Sequence, residues 1–288
     1  MKIAVFSCSK RTKQYEQPAF EDILNEKPNF CIDLGDSYYF PQREKCYKLK
    51  RVQETKDEMD RSVKLQIQEP NYSLLKEYTY SIYDDHCFAS NNSGSWLPRW
   101  VKDYSKHLKR KTFPFIPGEV DTREGLYYSA IHGGHKFIFL DVRTFREKYG
   151  KLWVFGRGFI KKKNAKLLGY KQWQWLEQEI KEFPGHIFIC SGSTLTGKDG
   201  WKQYKQEYES LKDLTRYSNN KFTFLTGDIH KNRFSYRQDF DAYEVTTSGV
   251  GRDNLNNYAV LELINDKCIN VTFKGKHLNN ENHCVNLE

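Results

Sequence analysis

The run Lys221-Phe222-Thr223-Phe224-Leu225 constrains this chain more than any other stretch. Its β-branched and aromatic residues predict a buried strand. The strand breaks at Thr226-Gly227 and delivers Asp228 and His230, two residues apart, to its exit. Alternating ligands at a strand end aim at one point in a crevice, which is where open α/β sheets keep their sites. Asp with His is also a metal-ligand pair. Taken alone, the segment reads better as a turn in which the Asp bonds its own backbone. It becomes a site only if other strand ends supply matching ligands.

The rest of the chain predicts such strand ends. Residues 2–7 read as a strand ending at Ser7-Cys8-Ser9, and residues 17–26 as a short helix. Phe30–Leu34 is a second strand, closed by Gly35-Asp36-Ser37-Tyr38-Tyr39. Residues 42–68 have helical spacing, in one long or broken helix. A third strand, 77–83, enters Asp84-Asp85-His86, and 96–111 is mixed helix and loop. Gly133-Gly134 marks the turn of a hairpin over 127–141. Residues 147–166 are expected to form a long basic loop. A helix at 172–183 precedes a strand at 186–190 that ends at Ser191-Gly192; Trp201, Tyr204, Tyr208, Leu211 and Leu214 stripe a second helix. After 230 the pattern is all strand, at 233–238, 243–247, 258–264 and 268–274. Strands alternating with helices and then running consecutively predict two packed sheets with helices outside, one domain over 1–288.

Composition narrows the classes. Of 288 residues, 38% are hydrophobic and 15% aromatic, enough for a substantial core. Mean hydropathy is −0.80 and no apolar run approaches membrane-spanning length. The opening Met1–Phe6 is too short for a signal-peptide apolar region, so a soluble cytoplasmic protein is expected. Seven cysteines without a CxxC pair argue against a disulfide framework; most are expected to be small buried hydrophobes. Lys and Arg total 46 against 37 acids, a net +9. That surplus favours anionic partners such as phosphate esters or nucleic acid. It clusters at 43–51, 106–111 and 161–163, each of which reads first as a solvated face.

Four strand exits therefore carry potential ligands: Cys8; Asp36 with Tyr39; Asn91 behind Asp84-Asp85-His86; and Asp228 with His230. Each has a bland reading as a buried thiol, a turn or a loop. Adjacent Asp84 and Asp85 are harder to dismiss, because two acids after a buried strand repel unless a cation or partner neutralises them. Jointly the set points to a metal site. Thiolate, phenolate, carboxylate and imidazole suit a trivalent ion such as ferric iron; carboxylates with an Asn amide oxygen suit calcium, magnesium or manganese. Two cations about 4 Å apart, sharing a carboxylate, clamp a phosphoryl group and make a hydroxide near neutral pH. Asp36 is the candidate bridge.

These residues also carry a resemblance. The chain resembles the alkaline phosphatase D (PhoD-like) family of metal-dependent phosphomonoesterases and phosphodiesterases. The matching points are Ser7-Cys8, Leu34-Gly35-Asp36 with Tyr39, Thr79 to His86, Asn91, Leu140-Asp141-Val142-Arg143, Leu168 to Leu176, Ser191-Gly192 with Asp199 to Tyr204, and Thr226 to His230. They keep the family's order over residues 7–230. The resemblance implies a four-layer α/β/β/α metallophosphatase-like sandwich. It implies Fe3+ held by Cys8, Asp36, Tyr39 and His230, and Ca2+ by Asp36, Asn91 and Asp228; Mn2+, Zn2+ and Mg2+ are the alternatives. The chain departs from the family at Cys87, where an acid often stands, and over 147–166 and the tail past 275; the family's amino-terminal β domain is not expected here.

Two functions follow as expectations. The first is a two-metal hydrolase of phosphate esters. Asn91 would ligate and hold a phosphate oxygen. His86, beside Asp85, is either a proton donor to the leaving oxygen or a histidine that fixes Asp85. Arg143 either clamps phosphate or, the favoured role, pins a strand end. Ser191 is a weaker wall candidate. The second function is a non-catalytic nucleic-acid or polyanion binder, using the basic runs with Trp153, Phe155 and Phe159.

Overall fold

A computed structural model describes residues 1–11, 17–47, 51–149, 151–154, 158–161, 164–252, 254–265, 268–278 and 280–287. In chain order the elements are β1 (Lys2–Phe6), α1 (Ala19–Asn25), β2 (Phe30–Asp33), α2 (Val52–Ile67), α3 (Pro70–Leu75), β3 (Thr79–Ser81), α4 (Asp85–Phe88) and α5 (Arg99–Thr112). Then come β4 (Tyr128–His132), β5 (His135–Phe139), β6 (Lys151–Val154), β7 (Gly158–Lys161), α6 (Tyr170–Lys181), β8 (His186–Ser191), α7 (Lys205–Arg216) and β9 (Lys221–Thr226). Five strands close the chain: β10 (Arg233–Arg237), β11 (Ala242–Thr246), β12 (Tyr258–Asn265), β13 (Cys268–Lys274) and β14 (Asn282–Asn286).

Two six-stranded mixed sheets result, ordered β14-β13-β12-β1-β2-β3 and β10-β11-β9-β8-β5-β4. Strand periodicity sorts the layers. In the second sheet Phe137, Phe139, Phe188, Cys190, Leu225 and Val245 join the core that holds β1, β2 and β12. Their alternating neighbours Ile138, Ile187, Ile189 and Phe224 instead pack with Leu176 and Ile180 of α6 and Leu211 of α7. A period of two sends successive side chains to opposite faces, so this split is what a sheet between another sheet and a helix layer must show. Buried residues of α1, α2, α3 and α5, including Phe20, Met59, Leu75 and Leu108, cover the first sheet. The architecture is the expected four-layer α/β/β/α sandwich.

Strand direction positions the site. β1, β2 and β3 are mutually parallel, as are β5, β8, β9 and β11. Their carboxyl ends release Ser7-Cys8, Gly35-Asp36, Asp84, Asp141 to Arg143, Gly192, Gly227-Asp228 and Ser248.

Several local expectations are modified. Residues 42–68 break into a 3-10 turn at Glu44–Tyr47 and α2, and the third strand shrinks to three residues after a 3-10 turn at Lys76–Tyr78. The segment expected as a long basic loop contains an antiparallel pair, β6 with β7, in the register Trp153↔Phe159. The tail adds β14, an edge strand on β13. Cys268 on β13 and Cys284 on β14 form a disulfide bond, with Cα atoms 6.2 Å apart. These residues, 16 apart in the chain, are brought together by the pairing of β14 with β13. Cys8, Cys31, Cys46, Cys87 and Cys190 are buried thiols. Residues 48–50 of the first basic run, 162–163 of the third, and 155–157 lie outside the described residues. No helix among the described residues is long and apolar enough to cross a membrane.

Candidate metal centre

The exits meet because their glycines allow the backbones to touch. A Cβ on Gly35 would stand 2.5 Å from the Asp84 Cβ, and one on Gly192 would stand 2.5 Å from the Tyr83 carbonyl oxygen. Cys8, Asp36, Asp228 and His230 all hold positive φ, at 59°, 55°, 75° and 52°. Non-glycine residues rarely adopt this region, and clusters of them mark sites whose surroundings over-determine the backbone. These four are also residues singled out as ligands from the sequence.

Asp36 is the hub. It is buried, and its Oδ1 accepts the His86 backbone N–H at 3.0 Å. Ligand atoms of Asp36, Asp85 and His86 lie within 4.8 Å of one another. The three together could hold a metal ion. Asp85 Oδ1 accepts the His86 backbone N–H at 2.9 Å and Oδ2 the Asn92 backbone N–H at 2.6 Å. Cys8 Sγ stands 3.7 Å from Asp36 Oδ2 and 3.9 Å from the Asp228 carbonyl oxygen, joining the two sheets. The Tyr39 ring stacks on the His86 ring at 4.4 Å. His230 is tied in through Ser248, whose hydroxyl accepts the His230 backbone N–H at 3.0 Å and donates to Cys8 Sγ at 3.2 Å. Arg252 reaches His230 Nε2 at 3.4 Å. Asn91 is exposed, next to Asn92, and its backbone N–H donates to Gln42 Oε1 at 3.2 Å.

Arg143 is fully buried, and its Nε donates to Asp84 Oδ1 at 2.9 Å, with Nη2 on the same oxygen. That contact fits the strand-pinning role, while Nη1 remains without a hydrogen-bond partner. Ser191 is enclosed, accepting the Trp201 indole N–H at 3.0 Å and donating to the Ser193 carbonyl at 2.8 Å.

The electrostatics are those of too many acids in one place. Burial, then repulsion from Asp85, Asp84 and Asp228, pushes the Asp36 carboxyl well up. Burial raises Asp228 to about 6 against the pull of Arg143. Asp85 goes the other way: burial would raise it, but Arg143, His86 and two backbone N–H donors outweigh that. Burial lowers His86 and pushes up the Cys8 thiol and the Tyr39 phenol. A bound cation inverts this logic, deprotonating thiol and phenol and holding carboxylates ionised. Buried Tyr39 Oη, Asp84 Oδ2 and His86 Nδ1 have no hydrogen-bond partner, so donor capacity for an ion is present. The residues fit a metal of the oxygen, nitrogen and sulfur kind.

Ser248, Arg252 and Arg146 were not singled out from the sequence. Ser248 sits at the exit of β11, a strand that was read correctly, so asking each strand end for its polar residue would have found it. Three cations of the basic run at 106–111 are engaged internally, while Lys111 is exposed. Lys106 Nζ donates to the Val120 and Arg123 carbonyls, Lys109 is buried, and Arg110 pairs with Asp121 at 3.2 Å.

No family model and no curated protein matches this chain. Solved structures do. One aligns at 12% identity over 95% of this chain and 98% of its own, with a TM-score of 0.53. A conserved uncharacterized protein from Streptococcus pneumoniae, described as a predicted phosphoesterase, aligns at 11% identity over 99% and 97%, with a TM-score of 0.36. Yfce, a phosphoesterase from E. coli, aligns at 10% identity over the whole of both chains, with a TM-score of 0.39. At these identities the likeness is one of fold.

Proposed function

We propose that this chain is a metal-dependent hydrolase of phosphate esters, similar in kind to the alkaline phosphatase D-like enzymes, with residues 1–288 as one catalytic domain. The observation that carries the reading is the convergence of Asp36, Asp85 and His86 within 4.8 Å, crowded by Asp84 and Asp228 in buried surroundings. Such crowding is unfavourable in a merely structural cluster and favourable around cations.

Cys8, Asp36, Tyr39 and His230 would hold Fe3+, and Asp36, Asn91 and Asp228 would hold Ca2+, with Mn2+, Zn2+ or Mg2+ as alternatives. When bound, such ions polarise the phosphoryl oxygens and acidify water. The chain's own residues do the rest. Arg143 keeps Asp84 in place and has Nη1 left to donate to a phosphate oxygen. Asp85 is held ionised beside His86 and orients it; the ring serves the leaving oxygen. Ser248 fixes Cys8 and the His230 backbone.

The test is hydrolysis of p-nitrophenyl phosphate and bis-p-nitrophenyl phosphate, with each metal and with chelator. Chelator-sensitive release of p-nitrophenol is expected; no release with any metal overturns the proposal.

A further inference from the structure

Beside the acidic centre lies a cavity of about 330 Å³, with Asn91, Trp96, Arg146, Lys148, Tyr149 and Tyr204 on its walls. It touches the centre directly, because Asn92 lines it and donates its backbone N–H to Asp85 Oδ2 at 2.6 Å. Arg146 is the unusual member. Its side chain is 1% exposed, yet no carboxylate of the described residues lies within 4.0 Å of its guanidinium. Its contacts are the Asp199 carbonyl oxygen at 2.9 Å, a long bond to Ser193 Oγ at 3.4 Å, and the rings of Tyr204 and Tyr149 at 5.3 and 5.8 Å. Arg143, the nearest similar residue, is neutralised by Asp84; Arg146 has no such partner. A guanidinium buried without a counter-charge is costly, and an anion seated against it removes the cost.

A second cation stands on the same cavity. Lys148 is exposed, with Nζ 4.8 Å over the Trp96 ring. Of the carboxylates on the rim, Glu147 already accepts the Lys166 backbone N–H at 3.1 Å, and Glu44 is exposed to solvent. Two cations with flat aromatic walls match a nucleotide: phosphate to the cations, base to the rings. The volume is at the small end of ligand cavities, roughly 300–1,000 Å³, and suits one such unit.

We infer that Arg146 and Lys148 form a second phosphate subsite beside the acidic centre, so that the substrates are nucleotide esters carrying a further phosphate one nucleoside away from the scissile one. The inference rests on the phosphate-ester reading above and names its substrate class. In the reaction, the oxygen of water bonds to phosphorus, the P–O bond to the leaving alcohol breaks, and the alcohol takes up one proton of the water.

Two chromogenic esters differ by that one group: thymidine 5′-(p-nitrophenyl phosphate) with and without a 3′-phosphate. The 3′-phosphorylated ester is expected to have at least a tenfold higher kcat/KM. The ratio should fall toward one in Lys148→Ala, an exposed position that spares folding, and in Arg146→Gln. A ratio near one in the unaltered protein, or one that persists in both variants, overturns the inference. If neither ester is cleaved with any metal, the hydrolase reading fails and calorimetry judges the subsite. Thymidine 3′,5′-bisphosphate should then bind at least tenfold more tightly than thymidine 5′-monophosphate, with the difference lost in Lys148→Ala; equal binding overturns it.

Discussion

Ser248 shows how a residue with no chemistry of its own governs a centre. One hydroxyl bonds Cys8 Sγ and the His230 backbone, which belong to different sheets. Partners of metal ligands contribute about 10–100-fold to metal affinity. Ser248→Ala should therefore weaken metal retention by that factor in a competition titration against a chelator, with the fold intact by circular dichroism. Unchanged retention would remove Ser248 from the centre. At this scale the sequence was legible where a side chain is chemically distinctive. Asp36, Asp85, His86, Asp228 and His230 stand out as acids and imidazoles after apolar runs. Ser248, Arg146 and Arg252 did not, because serines and arginines are common in loops and only burial or a shared neighbour marks them. Asn91 is exposed and lies one residue from the backbone N–H that reaches Asp85.

Among the elements, α5 does more than cover the first sheet. Its Lys109 is wholly buried, with Nζ 3.8 Å from Asp33 Oδ2 of β2, 3.5 Å from Cys87 Sγ, and in contact with Ser37 Oγ. Cys87 Sγ in turn accepts the backbone N–H groups of Asp36 and Asp84, at 3.2 and 3.3 Å. One helix thus ties together the loops that carry the acids. The group at the centre of this tie is a thiol lying against a buried lysine. Removing one member of a buried ion pair typically costs about 3–5 kcal/mol, because the other charge is left uncompensated. Lys109→Met should lower stability by that order in urea denaturation, and adding Asp33→Asn should recover much of it. A Lys109→Met variant as stable as the parent would contradict this account. Sequence periodicity could not reveal this role, since lysines in a basic run read as a solvated face. It did reveal the hairpin at Gly133-Gly134, whose φ values of 55° and 78° are those such a turn demands. The β6–β7 pair escaped notice because lysines and glycines masked the alternation.

At the scale of the whole molecule, two sheets press face to face, and the order of strands along the chain was enough to expect it. What the order concealed was which strand ends oppose each other: β1 and β9 meet through Cys8 and Asp228 although 220 residues separate them. A buried histidine at the start of β8, on the same face as Phe188, makes the fold sensitive to acid. His186 on β8 bonds Thr223 Oγ1 at 2.9 Å and meets His135 at 3.2 Å; burial and that neighbour lower its pKa to about 3. The unfolded chain binds this proton near pH 6.5 and the folded chain only near 3. Stability from His186 is therefore complete above about pH 7 and falls as pH drops through 6.5, by about 2 kcal/mol at pH 5. Denaturation midpoints at pH 7.5 and 5 should differ less in His186→Gln than in the unaltered protein; an unchanged pH dependence would contradict it.

The proposed function requires that distant strand ends hold cations through Asp36. Elemental analysis of the purified protein after incubation with iron and calcium, beside an Asp36→Ala variant, tests it most directly. Stoichiometric metal is expected in the unaltered chain, with visible absorption from Tyr39 when the metal is ferric, and loss of that metal in the variant. Equal metal content in the two proteins, or none in either, would contradict it.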